Sequence, residues 1–187
     1  MDTRPDMQIV RFGAEDVRNQ LAALADILHA SVEAGASINF ILPYSLEDAE
    51  DFWRRKVLPV LQGGKLVMLV AWVDGRIAGT VQLDHDMPPN QPHRAELRKL
   101  MVHPDFRGRG IARRMMAEIE RVAMALGRSL ITLDTRTGDK AEPLYTSLGY
   151  QTAGIIPGYC RDTATKRWDG ATFMYKHLNT PGASSNA

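Results

Sequence analysis

The stretch Leu100-Met101-Val102-His103-Pro104-Asp105-Phe106-Arg107-Gly108-Arg109-Gly110-Ile111-Ala112 decides the fold. It predicts a buried strand, a short turn rich in glycine and arginine, and the start of an amphipathic helix. The first N–H groups of a helix have no partners within it and carry the positive end of its dipole, so such a start attracts anions. Gly108 and Gly110 let the backbone approach a ligand closely, and Arg107, Arg109, Arg113 and Arg114 surround the turn with positive charge. A bound pyrophosphate matches this chemistry best; a plain strand–helix turn with solvated arginines is the competing interpretation. Two familiar phosphate loops are excluded. A Walker loop needs Gly-Lys-Ser/Thr, and Gly110 is followed by Ile111-Ala112; a dinucleotide fingerprint counted from Gly108 would need a small residue where Arg113 stands.

Outward from this turn, the helix carries a buried stripe at Ile111, Met115, Ile119, Val122 and Leu126, and Gly127 ends it. The strand before it, from Ala95 to Val102, has polar Glu96, Arg98 and Lys99 ahead of three apolar residues. Its alternation therefore slips by one, which is the signature of a β-bulge. A strand from Ser129 to Asp134 follows the helix, so strand–helix–strand makes the two strands parallel with a right-handed crossover. Upstream, Met7 to Phe12 predicts a first strand and Glu15 to Ala34 a helix that Gly35 ends. Ser45 and Asp48 form a capping-box variant opening a second helix that Gly63-Gly64 closes. Leu66 to Val73 is a continuous apolar strand, and Asp74-Gly75 turns it into a return strand from Arg76 to Leu83. Downstream, Asp139 to Leu148 predicts a helix opened by an Asp139–Glu142 capping box. Strands near Tyr150 to Gly154 and Thr172 to Leu178 follow, with loops expected at Gly35 to Tyr44, Met87 to Pro92 and Ile155 to Thr165. The tail from Asn179 to Ala187 is small and polar and is expected to be disordered.

With 187 residues, residues 1–178 are expected to form a single domain with one sizeable core. A composition of 44% hydrophobic and 24% charged residues is that of an ordinary globular chain, and a net charge of +1 argues against a dedicated nucleic-acid binder. A lone cysteine, Cys160, excludes an internal disulfide framework and any multi-cysteine metal site. The N-terminus has no apolar run of signal-peptide type and no stretch has the length to span a bilayer, so a cytoplasmic location and no membrane partner are expected.

The segment Arg107-x-x-Gly110-x-Ala112, the bulged strand before it and the late signature Leu144-Tyr145-Thr146-Ser147-Leu148-Gly149-Tyr150 together resemble the GNAT superfamily of N-acetyltransferases. Segments from about residue 35 to the last strand are similar to the tabtoxin-resistance group within it, enzymes that acetylate a β-lactam antimetabolite with a free amino group. Among these segments are Gly35-Ala36-Ser37, Lys99-Leu100-Met101-Val102, Leu133-Asp134-Thr135 and Pro157-Gly158-Tyr159-Cys160. The resemblance implies an α/β (α+β) GNAT fold: a mixed, mostly antiparallel sheet of about seven strands, flanked by about four helices, with a splayed parallel pair in the middle. It implies acetyl-CoA as cosubstrate, no metal, a small-molecule amine as acceptor and no nucleic acid, and it leaves a homodimer open. Leu100, Met101, Val102, Arg107, Gly108, Arg109, Gly110, Ile111, Ala112 and Arg113 are the cofactor-binding positions it implies. Many members carry an asparagine where this chain has Gly138, so the contact such an asparagine makes to the CoA arm is not carried over.

Acetyl transfer to an amine needs a neutral nucleophile, and an alkyl amine of pKa ~10.4 is overwhelmingly protonated at pH 7. Glu96, a carboxylate within a predicted central strand, and Asp134, at the end of the adjacent parallel strand, are the expected acid pair. They would bind the substrate ammonium and take its proton, directly or through water. The alternative is that Glu96 pairs with Arg94 or Arg98 and that Asp134 caps a turn. Tyr145 matches the tyrosine whose phenol commonly protonates the departing thiolate in this superfamily. Cys160 lacks an activating base and His103 is expected to end its strand, while His85, which could line the acceptor mouth, is expected rather to be a surface charge. Trp53, Trp72 and Trp168 are expected in the core or at its rim. Three functions follow: a small-molecule N-acetyltransferase, protective against an amine-bearing toxin or antibiotic; a protein or peptide N-acetyltransferase, which needs an open groove; and a non-enzymatic acetyl-CoA sensor.

Overall fold

The computed structural model describes residues 7–178. Strands β1 (Met7–Phe12), β2 (Leu66–Val73), β3 (Arg76–Asp84), β4 (Arg94–Val102), β5 (Leu130–Arg136), β6 (Gln151–Arg161) and β7 (Trp168–His177) form one sheet in the order β1-β2-β3-β4-β5-β7-β6. All neighbours are antiparallel except β4 and β5, which are parallel. This is the mixed seven-stranded sheet expected from the sequence. The helical segments fall into four groups: α1 (Ala14–Asn19) with α2 (Leu21–Glu33), α3 (Leu46–Phe52) running into α4 (Leu58–Gln62), α5 (Ile111–Ala125), and α6 (Ala141–Ser147).

The sheet is covered on both faces, which explains the unbroken apolar run of β2. Successive strand residues point to opposite faces. Val67, Leu69, Ala71 and Val73 pack with Met115, Met116 and Ile119 of α5, whereas Leu66, Met68 and Val70 pack with Leu24, Ile27 and Leu28 of α2 and with Trp53. The tightest approach is at Gly79 of β3. A Cβ there would lie 2.7 Å from Met115 Sδ and 3.1 Å from the Met101 carbonyl, so glycine lets α5 settle onto the sheet.

The β2–β3 turn is made as predicted, with Asp74 and Gly75 both at positive φ, as its tight hairpin geometry requires. The bulge is also real. Thr80 faces Met101 and Gln82 faces Arg98, so β4 has one extra residue, and Lys99 takes it up at φ +53°. Before the bulge Ala95 and Leu97 face the α5 core; after it Met101 faces the α2 core, while Leu100 and Val102 turn toward α5. One inserted residue has flipped the strand.

Three expectations are corrected. The helix over Glu15 to Ala34 is broken at Gln20, whose φ of −112° and ψ of 20° interrupt the coil without disturbing the apolar stripe. The Asp139–Glu142 box does not form: Glu142 accepts from the Gly138 N–H, Asp139 pairs with Arg136, and α6 starts at Ala141. The segment Ile155 to Thr165 is strand as far as Arg161, with Pro157 and Gly158 absorbed where the β6–β7 register shifts between Ile156 and Cys160. Between α3 and α4 the helix widens to a π turn at Trp53–Val57, just ahead of Pro59. A proline cannot donate to the carbonyl four residues back and crowds it, and a wider turn relieves that crowding. The expected tail, Asn179 to Ala187, lies outside the described residues.

Candidate active site

β4 and β5 stay together for only three register pairs, ending with Glu96 opposite Thr132. Beyond that point the strands part, and a cleft of about 610 Å³ opens between them. Ile131 and Leu133 face the α5 core, so Thr132, Asp134 and Arg136 face the other way. Glu96 shares that face with Asp134. Glu96, Asp134 and Tyr145 all line the cleft, together with Leu100, Met101, Val102 and Arg107. The parting of one strand pair therefore brings together residues of β4, β5 and α6 and of the turn at Arg107.

Glu96 is half-exposed and loosely paired despite its place in a central strand. Its side chain is 38% exposed and lies 3.9 Å from Arg94 Nη1, a loose pair, while Arg94 gives closer bonds to the Thr132 hydroxyl at 2.9 Å and to the Gln91 side chain at 2.8 Å. Arg98 is held by Asp84 at 2.6 Å. Asp134 is exposed into the cleft. Tyr145 is 6% exposed, with its ring 5.7 Å from that of Tyr150. Burial above all, and then the negative charges of Asp134 and Asp139, push its phenol well above the ordinary range, so it holds its proton at any working pH.

The glycine turn lies at one end of the cleft. Gly110 caps α5 at φ +74° and no side chain covers the helix start, so its first N–H groups point outward without a side-chain partner. Nothing lies within 4 Å of where a Cβ would stand at Gly108 or Gly110. A phosphate group fits this cradle. Of the turn's four arginines (Arg107, Arg109, Arg113 and Arg114), Arg107 alone lines the cleft, with its Nε donating to the Val102 carbonyl at 3.2 Å. Arg109 turns back to the Asp105 carbonyl and lies over the Phe106 ring, Arg113 bonds Ser147 on α6, and Arg114 reaches the Met7 carbonyl. The helical turn carries Arg113 and Arg114 away from the opening. Ile111 is core, and Ala112 is half-buried.

The other end is roofed. Lys99 Nζ donates to the Ile38 carbonyl at 2.7 Å, beneath Phe40 and Phe52. From the β6–β7 turn the buried Thr163 donates to the Ala36 carbonyl at 3.2 Å and accepts from the Leu42 N–H at 3.0 Å. The turn itself is wrapped around Asp162, which takes bonds from Thr165 and Ala164 and from Arg136 at 2.6 Å; these hold its carboxyl at about 2. The Gly35 to Tyr44 loop is thus pinned from two sides. Burial, with help from Arg98, lowers the Lys99 ammonium to about 8, against a small opposing effect of Asp134.

The other sequence candidates find their places in this geometry. His85 does not line the cleft; its neighbours Asp84 and Asp86 are taken by Arg98 and Lys65. His103 ends its strand, accepting from the Asp105 N–H. Trp53 is core, with its indole bonded to the Leu24 carbonyl, and Trp168 is 64% exposed under Arg161. Among the described residues no group of three His, Cys, Asp or Glu could hold a metal, and no helix is long and apolar enough to cross a membrane. Sequence reasoning missed Lys99 and Ser31 as cleft residues; the slipped alternation at Lys99 was a signal for the former, and nothing marked the latter.

The Acetyltransferase (GNAT) family pattern matches residues 35–150, and the chain belongs to this family. It is 32% identical over 122 residues to an uncharacterised N-acetyltransferase from the hisH-hisA intergenic region of Azospirillum brasilense, covering 64% of this chain and 70% of that protein. Its fold is similar to that of the Salmonella typhimurium protein yncA, solved with its cofactor acetyl-CoA, at a TM-score of 0.73 and 19% identity over 97% of this chain and 99% of that one. A ribosomal-protein-alanine N-acetyltransferase from Brucella melitensis is similar at a TM-score of 0.73 and 25% identity, covering 91% of this chain and 99% of that one.

Proposed function

We propose that this protein transfers an acetyl group from acetyl-CoA directly to a primary amine of a small molecule, of the amino-acid-like toxin or antibiotic class, within a ternary complex. One observation carries the reading: Glu96, Asp134, Tyr145 and Arg107 line a single cleft whose far end is roofed by a pinned loop. Acetyl-CoA would supply the thioester carbonyl and the thiolate leaving group. Its pyrophosphate fits the uncapped start of α5 at Gly108 to Arg113, with Arg107 adding charge. Past Glu96, the edge of β4 at Leu100, Met101 and Val102 is free of β5, so its backbone groups can bond the amides of the cofactor arm as a neighbouring strand would.

In this reading Glu96 and Asp134 hold the acceptor ammonium and relieve it of one proton. The amine nitrogen then bonds to the acetyl carbon as the carbon–sulfur bond breaks, and the acylated nitrogen gives its second proton to solvent, from which Tyr145 recovers the proton it loses to sulfur. Tyr145, held protonated by its surroundings, donates to the departing sulfur. Cys160 is half-buried beside Asp169 on β7 and does not line the cleft, which favours direct transfer over an acetyl-cysteine.

Peptide acetylation is the second reading, favoured by the similarity to the Brucella melitensis enzyme. The pinned roof weighs against it, because a polypeptide needs a groove open on both sides. A turnover screen with acetyl-CoA over amino acids, amine antibiotics, polyamines and peptides tests the two together. Preference for small primary amines supports the proposal; turnover of peptides alone would replace it.

A further inference from the structure

The cleft contains a cation that the proposed chemistry leaves without a task. Arg98 and Arg136 are each held by a carboxylate at 2.6 Å, Arg107 stands at the glycine turn, and Lys140, which also lines the cleft, is exposed to water. Lys99 has no carboxylate partner among the described residues. Its ammonium has three N–H groups, of which one goes to the Ile38 carbonyl; Phe40 and Phe52, at 5.1 and 5.5 Å, shelter the charge without accepting in full. A second group lining the same cleft is also unsatisfied. Ser31 of α2 is 1% exposed and lines the cleft, and its hydroxyl has no hydrogen-bond partner. A serine within a helix commonly bonds back to the preceding turn, and a buried hydroxyl left unpaired costs free energy.

We infer that Lys99 and Ser31 form a subsite for a carboxylate on the acceptor, so that the enzyme selects zwitterionic amino-acid-like amines and turns away polycations. The inference rests on the small-amine reading above. Glu96 and Asp134 would take the acceptor's ammonium and Lys99 with Ser31 its carboxylate, matching both charges of an amino acid within one cleft. A carboxylate completes the two unsatisfied donors at once. An amide in its place leaves the ammonium without an anion. A second ammonium, as in a polyamine or aminoglycoside, meets Lys99 where water screens poorly, and like charges repel strongly there. Attraction of the right acceptor and rejection of the wrong one come from the same side chain.

The test compares L-lysine, L-lysinamide and cadaverine, and alanine, alaninamide and ethylamine, as acceptors for the full-length protein, by thiol release from acetyl-CoA. The wild type is expected to prefer the carboxylate member of the series it accepts by on the order of tenfold or more in kcat/KM. Lys99→Gln keeps a donor for the Ile38 carbonyl but removes the charge, and should bring the members of a series to within about twofold. Ser31→Ala removes a hydroxyl without a partner, so Tm should hold or rise while KM for the carboxylate acceptor increases roughly threefold to tenfold and KM for the amide stays put. Equal turnover of carboxylate, amide and diamine by the wild type, or an undiminished preference in Lys99→Gln, overturns the subsite but leaves the small-amine reading standing. Absence of thiol release with every small amine contradicts that reading, and the subsite falls with it.

Discussion

Glu96 and Asp134 stand on one face of the sheet at the point where their parallel strands part: Glu96 is paired with Thr132, the last register pair, and Asp134 follows two residues further along β5. Two carboxylates flank the mouth of a gap that a β-bulge three residues downstream of Glu96 helps to open. Glu96→Gln and Asp134→Asn are expected each to lower turnover with little change in acetyl-CoA affinity. Their activity should partly recover at high pH, because the amine then arrives neutral and needs no base. Parental rates in both variants at neutral pH would remove the pair from the mechanism.

At the glycine turn, Arg107→Ala should weaken acetyl-CoA binding most at low salt, since part of the attraction is screened by ions. Gly110→Val puts a β-branched residue at φ +74° and should weaken binding further, with some loss of stability. Calorimetry on both, beside their melting temperatures, checks the assignment. Parental affinity in both would refute it.

Gly79→Ala is a test from outside the cleft. The new methyl would meet Met115 Sδ at 2.7 Å and the Met101 carbonyl at 3.1 Å. Overpacking of this kind costs about 1–3 kcal/mol. Because Met115 belongs to α5, relief of the clash should also shift the helix start, and acetyl-CoA affinity should fall alongside Tm.

The roof makes a prediction about substrate size. Thr163→Val keeps the shape but removes the donor to the Ala36 carbonyl, so the Gly35 to Tyr44 loop loses one of its ties. Loss of such a bond costs about 1 kcal/mol. KM for a small acceptor should rise more than kcat changes, and bulkier amines should gain relative to it. An unchanged acceptor profile would show that the tie does not confine the cleft.

Much of this was legible in the sequence because local chemistry and tertiary context agreed. Asp74-Gly75 can hardly do anything but turn a hairpin, and the slipped alternation around Lys99 reported the bulge that flips β4. Ser45 caps α3 through Asp48, as its spacing required. Where longer-range contacts decide, local signals failed. Ile155 to Arg161 looked like a loop because Pro157 and Gly158 punctuate it, yet β7 holds it as an edge strand on either side of the bulge. Asp139 would cap α6 in isolation, but Arg136 claims it. Ser31 meets the cleft and Thr163 ties its roof only once distant segments have folded together, and no pattern within the chain marks either meeting.

Leaving-group chemistry gives the most direct test. Tyr145→Phe keeps the ring packed against Tyr150 and removes only the phenolic proton, so stability and acetyl-CoA affinity should stay near parental values. Turnover should fall by ~10²–10⁴-fold, the range general acid catalysis usually supplies. Measured with both substrates varied, the wild-type initial rates should give intersecting lines, as direct transfer in a ternary complex requires, and Cys160→Ala should match the parent. Parallel lines, with an acetylated Cys160 trapped by mass spectrometry and Tyr145→Phe fully active, would contradict direct transfer.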